Sequence, residues 1–305
     1  MSTSAAQSAA LRQRVEERLA TLPELPGAIV ALLTGDPRSD GFHVAVAELV
    51  QRQSSLSSRI LAIANAMESD AGQPVLGLPQ AVARVGTWRI ARLIVLNVLL
   101  RVFPPDNETV RRLWQHALCS ATAAREVARA SSRATHSHEA YVAGLLHDVG
   151  RFLIADAGEA AADLTLPEEE GWSGAAPLLE SERQLVGCDH AELGERVCRA
   201  WSLPEELVQI VRLHHAEPPA AGELPGRLLD TLRILQQGDR LASLLLARPR
   251  FEGLPPDERL ALLERTCIHP SWDWTPAGPT HLDLLVGPIL ARSDERITAL
   301  GLEGA

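Results

Sequence analysis

A histidine and an aspartate stand side by side at His147 and Asp148, inside the apolar run Ala143-Gly144-Leu145-Leu146-His147-Asp148-Val149-Gly150-Arg151. Read as a helix, this run points the two neighbours about 100° apart, so they cannot share one solvent face and at least one looks into the protein. A buried imidazole or carboxylate must be paired, hydrogen-bonded or bound to metal. Imidazole nitrogen with carboxylate oxygen suits zinc, iron, manganese or nickel. The same residue types recur at His116, His190, His214, His215 and Asp239, each in a segment with helical spacing. Together they are enough for two divalent ions: His116, His147, Asp148 and Asp239 around one, His190, His214 and His215 around the other, with Asp148 shared. A site of that kind lowers the pKa of a bridging water and clamps a phosphoryl group from both sides.

Other short segments fall in a recognisable order around these residues. They are LPELP at Leu22 to Pro26, ILAIANA at Ile60 to Ala66, VGTWRIARL at Val85 to Leu93 and WQHA at Trp114 to Ala117. Downstream come GCDHAELG at Gly187 to Gly194, WSLPEEL at Trp201 to Leu207 and LHHAEPP at Leu213 to Pro219. In this order of motifs the sequence resembles the HD superfamily of metal-dependent phosphohydrolases, and more closely its HDOD branch of bacterial signalling proteins. The resemblance covers roughly residues 20 to 245. It implies an all-α fold, an HD/HDOD-like multi-helix bundle with an N-terminal helical subdomain. The organisation it suggests is an N-terminal extension at 1–19 and an HDOD domain at 20–245, followed by a C-terminal helical extension at 246–305. Within the domain, 20–105 is the N-terminal helical part and 106–245 the part holding the metal site. The ligand order H, HD, H, HH, D matches the dinuclear members of the superfamily. The HD-GYP branch carries a lysine where this chain has Arg151, and a Gly-Tyr-Pro loop where Ala216 follows His215, so cleavage of cyclic di-GMP is not carried over.

Composition sets the outer bounds. With 305 residues, 46% hydrophobic and 22% charged, the chain can bury a sizeable core as one large domain or two smaller ones. Its net charge is −10, and all 29 basic residues are arginine. That acidic balance argues against nonspecific nucleic-acid binding. Cys119, Cys188, Cys198 and Cys267 show no CxxC spacing, which fits a reducing cytoplasm and gives neither a zinc ribbon nor a disulfide framework. The first residues lack a basic stretch followed by an apolar core, so no export is expected. The longest apolar run, Ile90 to Phe103, is interrupted by Arg92 and Arg101 and is shorter than the roughly 20 residues of a membrane span.

Apolar periodicity predicts helices along most of the chain. In the first half they run over Leu11–Leu22, after a frayed Ala/Ser-rich start, then Gly27–Leu33, Val44–Gln53, Leu56–Met67, Gly77–Val85 and Trp88–Phe103. Ser54 or Ser55 could cap the fourth of these. Arg59 and Asn65 read as packing residues between helices. A long helix over Asn107–Ala130 carries His116, the stretch SSRATHSH breaks it, and Glu139–Asp156 resumes with the His-Asp pair inside. His136 and His138, in the break, read as solvated. The acidic segment Gly158–Ala176 reads as a loop. Leu178–Val186 is helical, Gly187 ends it, and Asp189 caps a helix beginning near His190. Glu205–His215 opens behind Pro204 and places the histidine pair at its C-terminal end, where the helix dipole favours a cation. Asp239 lies on Leu224–Leu246. Two further helices, Pro256–Cys267 and Leu282–Leu300, form the tail, with Trp272 and Trp274 as anchors and His269 and His281 as surface or packing residues.

Three functions follow from these residues. The favoured one is an HDOD-type signalling regulator whose metal centre serves structure or ligand sensing and whose helical surface engages a regulatory protein. The alternative is a metal-dependent phosphohydrolase or phosphodiesterase acting on a nucleotide or phosphoester, with Asp148 and Arg151 in catalytic roles and Arg151 holding a nonbridging oxygen by paired hydrogen bonds. The third is a metal-free helical scaffold in which His147 and Asp148 form a buried hydrogen-bonded pair. A homodimer, a cytoplasmic location and no membrane partner complete the expectations.

Overall fold

The computed structural model describes residues 5–52, 54–66, 74–131, 137–158, 175–216, 224–247 and 251–302. Among them every regular element is helical, in line with the all-α expectation. The acidic segment lies largely outside the described residues, as does His136; His138 falls in the first turn of a helix. No helix among the described residues is long and apolar enough to cross a membrane. The chain divides into two compact units, residues 23–104 and the remainder.

The smaller unit contains α1 (Gly27–Thr34), α2 (Asp40–Gln51), α3 (Ser54–Ala66), α4 (Leu78–Val85) and α5 (Thr87–Val102). Ser39 caps α2 by accepting from the Phe42 backbone N–H. Gly86, at φ 90°, makes the left-handed turn between α4 and α5 that other residues rarely adopt. Asn65 accepts from the Val75 N–H at 2.7 Å and donates to the Val75 and Leu61 carbonyls, both at 3.0 Å. These bonds tie the end of α3 to the non-helical stretch at Val75 rather than to a second helix.

The larger unit holds every candidate site residue. Its helices are α6 (Ala5–Ala20), which begins six residues earlier than the periodicity predicts, α7 (Glu108–Ala130), α8 (Ser137–Leu146) and α9 (Val149–Asp156). They are followed by α10 (Ala175–Val186), α11 (His190–Ala200), α12 (Glu205–Leu213), α13 (Gly226–Ala247), α14 (Pro256–Cys267) and α15 (Pro279–Ala299). Asn107 caps α7 through the Val110 N–H at 2.9 Å. Small residues let α7 come close to its neighbours. A Cβ on Gly144 of α8 would stand 2.6 Å from the Ala121 Cα, and one on Gly238 of α13 would stand 2.4 Å from the Ala124 nitrogen. Backbones in such contact bring α8 and α13 against the helix that carries His116.

Two predicted helices differ from the structure at the residues of interest. Glu139–Asp156 is not one helix: α8 stops at Leu146 and α9 starts at Val149, with Asp148 at φ −97° and ψ 14°. At this break both His147 and Asp148 turn inward, 1% and 3% exposed. Likewise α12 ends at Leu213, and His214 and His215 lie in the turn that follows. The tail packs on this unit. Leu262, Leu263, Leu282, Val286 and Ile289 join Ala124, Val127, Ile234 and Leu241 in one apolar cluster. Trp274 packs against it, and the buried Gln237 side chain bonds both the N–H and C=O of Ala277 and the carbonyl of Cys267.

Candidate metal centre

The structure brings together all of His116, His147, Asp148, His190, His214, His215 and Asp239, delivered by α7, the α8–α9 break, the first residue of α11, the turn after α12, and α13. They fall into two groups, His116 with His147 and Asp239, and Asp148 with His190, His214 and His215; within each group one ligand atom per residue lies within 4.8 Å of the others. Asp148 faces both. Its Oδ1 is 3.2 Å from His190 Nε2 and 3.5 Å from His214 Nε2; its Oδ2 is 3.6 Å from His116 Nε2 and 3.7 Å from His147 Nε2. On the second side Asp239 Oδ1 sits 2.9 Å from His116 Nε2 and 3.1 Å from His147 Nε2.

The proton positions say what this cluster can bind. His147 Nδ1 is 2.9 Å from the Gly144 carbonyl and His214 Nδ1 is 2.6 Å from the Val211 carbonyl. A carbonyl only accepts, so Nδ1 of each ring carries a proton and the neutral ring presents a bare lone pair at Nε2. His190 donates from Nδ1 to Glu182 Oε2 at 2.7 Å, with the same result. Yet these Nε2 atoms crowd together: His190 to His214 at 3.3 Å, His190 to His215 at 3.0 Å, and His116 to His147 at 3.3 Å. Two bare lone pairs at such a distance, as at His190 and His214, repel unless a cation or proton stands between them. A buried donor set of imidazole nitrogens and carboxylate oxygens of this kind fits divalent transition metals.

In the metal-free chain, protons take that place. Burial works against charge on His147, but Asp148 and Asp239 beside it hold its imidazole up at about 9. For His190, burial is likewise outweighed by Glu182 and Asp148, again to about 9. Burial, helped by charged neighbouring rings, pushes His214 below its ordinary value and His215 well below. Asp148 and Asp239 are buried, yet His147 holds both well below the usual carboxylate range, with Arg151 helping at Asp148.

A pH dependence follows. Because His147 and His190 titrate above their ordinary value near 6.5, the stability they give the metal-free protein is full below about pH 6.5 and is lost as pH rises through about 9. Cation binding runs the other way, since it displaces those protons and gains up to about tenfold in affinity per proton per pH unit below that range. The gap in thermal midpoint between metal-loaded and chelator-stripped protein should therefore widen from pH 6.5 to 9. A gap that stays flat or narrows assigns the protons to other groups.

Further residues support these side chains, among them Glu182, Ser120 and Gln236, which the sequence does not single out. Glu182 on α10 is 1% exposed, and its Oε2 accepts from both the ring and the backbone N–H of His190. Ser120, one turn after His116, donates to Asp239 Oδ1 at 3.0 Å. Gln236 donates to the carbonyls of His214 and Ala216 and so fixes the turn that carries the histidine pair. Asp189 caps α11 in a capping box with Glu192, which sets His190 as the first helical residue. Arg151 is buried, and its Nη1 donates to Asp148 Oδ2 at 3.3 Å. In sequence, Glu182 occupies the middle of the stripe Leu178, Glu182, Val186 on one face of α10. A carboxylate inside an apolar stripe was the available signal for a buried partner.

Known proteins share this architecture. An HDOD domain protein of Geobacter sulfurreducens, with unknown function, superposes with a TM-score of 0.63 at 20% identity, over 96% of this chain and 97% of its own. A Shewanella amazonensis SB2B protein provisionally described as a phosphohydrolase gives 0.63 at 23% identity, over 94% and 96% of the two chains. A Marinobacter aquaeolei VT8 protein provisionally described as a signal transduction protein gives 0.61 at 18%, over 97% of this chain and 66% of its own. These structures share the fold, tail included. In sequence, an uncharacterized protein of Treponema pallidum (strain Nichols) is 24% identical over 218 residues, 71% of this chain. The chain spans 42% of that relative's length. Residues 19–217 match the HDOD domain, which takes in five of the ligand-type residues, from His116 to His214, together with His215. The chain belongs to the HDOD domain family.

Proposed function

We propose that this chain is a signal-transduction regulator of the HDOD type whose centre binds two divalent transition-metal ions, drawn from iron, manganese, zinc or nickel. One ion would be held by His116, His147, Asp239 and Asp148, the other by His190, His214, His215 and Asp148. The observation that carries the reading is the Asp148 carboxylate, whose two oxygens are turned toward separate sets of imidazoles. When bound, such ions supply Lewis acidity toward a phosphoryl oxygen and lower the pKa of water. The protein's own residues prepare the donors. Arg151 favours the ionised form of Asp148, Glu182 keeps the His190 proton on Nδ1, and Ser120 orients Asp239. The regulatory role is supported by membership of a family regarded as regulatory. It is also supported by Arg151 and Ala216, which replace the lysine and the Gly-Tyr-Pro loop of the cyclic-dinucleotide phosphodiesterases. Its partners would be a nucleotide or phosphoester ligand and a regulatory protein.

The completeness of the donor set also favours a second reading, a metal-dependent phosphohydrolase. Elemental analysis of protein purified without chelator, followed by assay of bis-p-nitrophenyl phosphate with Mn²⁺ or Fe²⁺, separates the cases. Two ions per chain without turnover above the free-metal background is the expected result. Turnover that tracks the protein's metal content favours the hydrolase, and a metal-free protein that takes up none on reconstitution favours a helical scaffold.

A further inference from the structure

The two ion positions are built from different donors and different supports. On the Asp148 Oδ1 side stand three imidazoles, His190, His214 and His215. His190 is backed by a buried carboxylate, since Glu182 Oε2 accepts from its ring at 2.7 Å and its backbone at 2.8 Å. His214 is fixed by the Val211 carbonyl, and its own carbonyl is held by Gln236. The oxygen shared with this side, Oδ1, faces His190 Nε2 at 3.2 Å and His214 Nε2 at 3.5 Å. On the Oδ2 side there are two imidazoles and one further carboxylate, Asp239. There the shared oxygen already accepts from Arg151 Nη1 at 3.3 Å. His116 Nδ1 is buried with no hydrogen-bond partner among the described residues, so no acceptor holds a proton there as Glu182 does for His190.

We propose that the centre fills in sequence, the His190–His214–His215 position first and the His116–His147–Asp239 position second, with Glu182 as the positioning residue that sets this order. The inference rests on the dinuclear reading above and deepens it. A carboxylate on the far nitrogen of a ligating histidine fixes the ring and raises its basicity, and loss of such a partner typically weakens metal binding about 10- to 100-fold. That support is present on one side. On the other, the guanidinium of Arg151 draws on the same oxygen an ion would use, which offsets the charge that Asp239 adds. The nitrogen-rich first position suits imidazole-preferring ions such as zinc, whereas the second, with its larger share of oxygen, is open to manganese. The second position is then the exchangeable one, which gives a regulator of this build a response graded to metal supply.

Calorimetric titration of Zn²⁺ into the chelator-stripped full-length chain tests the order. The wild type should bind two equivalents in resolved tight and weak phases. Glu182→Gln, which keeps shape and acceptor but removes the charge, should weaken the tight phase by about tenfold or more and leave the weak phase in place. Asp239→Asn should remove the weak phase and spare the tight one. Thermal melts of the stripped variants show that each is folded before it is titrated. Two equivalents bound with the tight phase lost in Asp239→Asn, or with the tight phase unchanged in Glu182→Gln, overturn the filling order while leaving the dinuclear reading intact. A wild type that binds no zinc overturns both.

Discussion

Replacing His147 and Asp148 together by alanine should, on the proposed dinuclear reading, empty both ion positions and take the purified protein from two bound metals to none, while helical content by circular dichroism is retained. The effect is large because Asp148 is not the property of one position. Its Oδ1 faces His190 and His214 and its Oδ2 faces His116 and His147, so one substitution withdraws a ligand from each, and His147 takes a second from one of them. His215→Ala is the control: His215 stands in one group only, and its loss should leave one ion in place. Helicity survives because the pair occupies the break between α8 and α9 rather than the interior of either helix. Stability will fall, since removing Asp148 leaves Arg151 buried without that partner, a change that typically costs about 3–5 kcal/mol. Elemental analysis beside far-ultraviolet circular dichroism measures the outcome, and two ions retained in the double variant would sink the ligand assignment.

What could be read from the sequence was mostly local. The ligand types, the Asp189 cap of α11 and the Pro256–Cys267 helix follow from residue chemistry and spacing within a few positions. The helix breaks at His147 and His214 were not legible, because Leu146 and Val149, or Leu213 and His214, are all compatible with helical continuation; tertiary demand for inward-facing ligands decides there. Glu182 and Ser120 could not be given partners for another reason. A Glu at the middle of an apolar stripe and a Ser one turn from a histidine acquire meaning only once their partners, His190 and Asp239, arrive from far along the chain. The tail shows the same limit. Its helices could be drawn from periodicity, but the buried Gln237 that clasps Ala277 and Cys267 is a contact between distant residues. Propensity names the elements; long-range packing places them.

That packing supplies the second large effect. Gly150→Ala should lower the thermal midpoint by on the order of 10 °C and loosen metal at the His190 side of the centre. In an exposed helix the same change stabilises by about 1 kcal/mol through propensity, so the sign itself is informative. At Gly150 an added Cβ would meet the His190 carbonyl oxygen at 2.1 Å and the Gly194 nitrogen at 2.7 Å. Both are backbone atoms of α11 and cannot swing aside as a side chain would; forced overpacking of this kind typically costs about 1–3 kcal/mol, and backbone contact puts it at the upper end. Relief requires α9 and the first turn of α11 to separate. That turn begins with His190, whose Nε2 is 3.2 Å from Asp148 Oδ1, so the glycine two residues after Asp148 is what allows the carboxylate and the imidazole to meet. Gly41→Ala is the matched control, because its Cβ would have nothing within 4 Å and only the gain in helix propensity remains. A Gly150→Ala protein that melts at or above the parent temperature, with its metal held as tightly, would mean that the close approach of α9 and α11 does not position the centre.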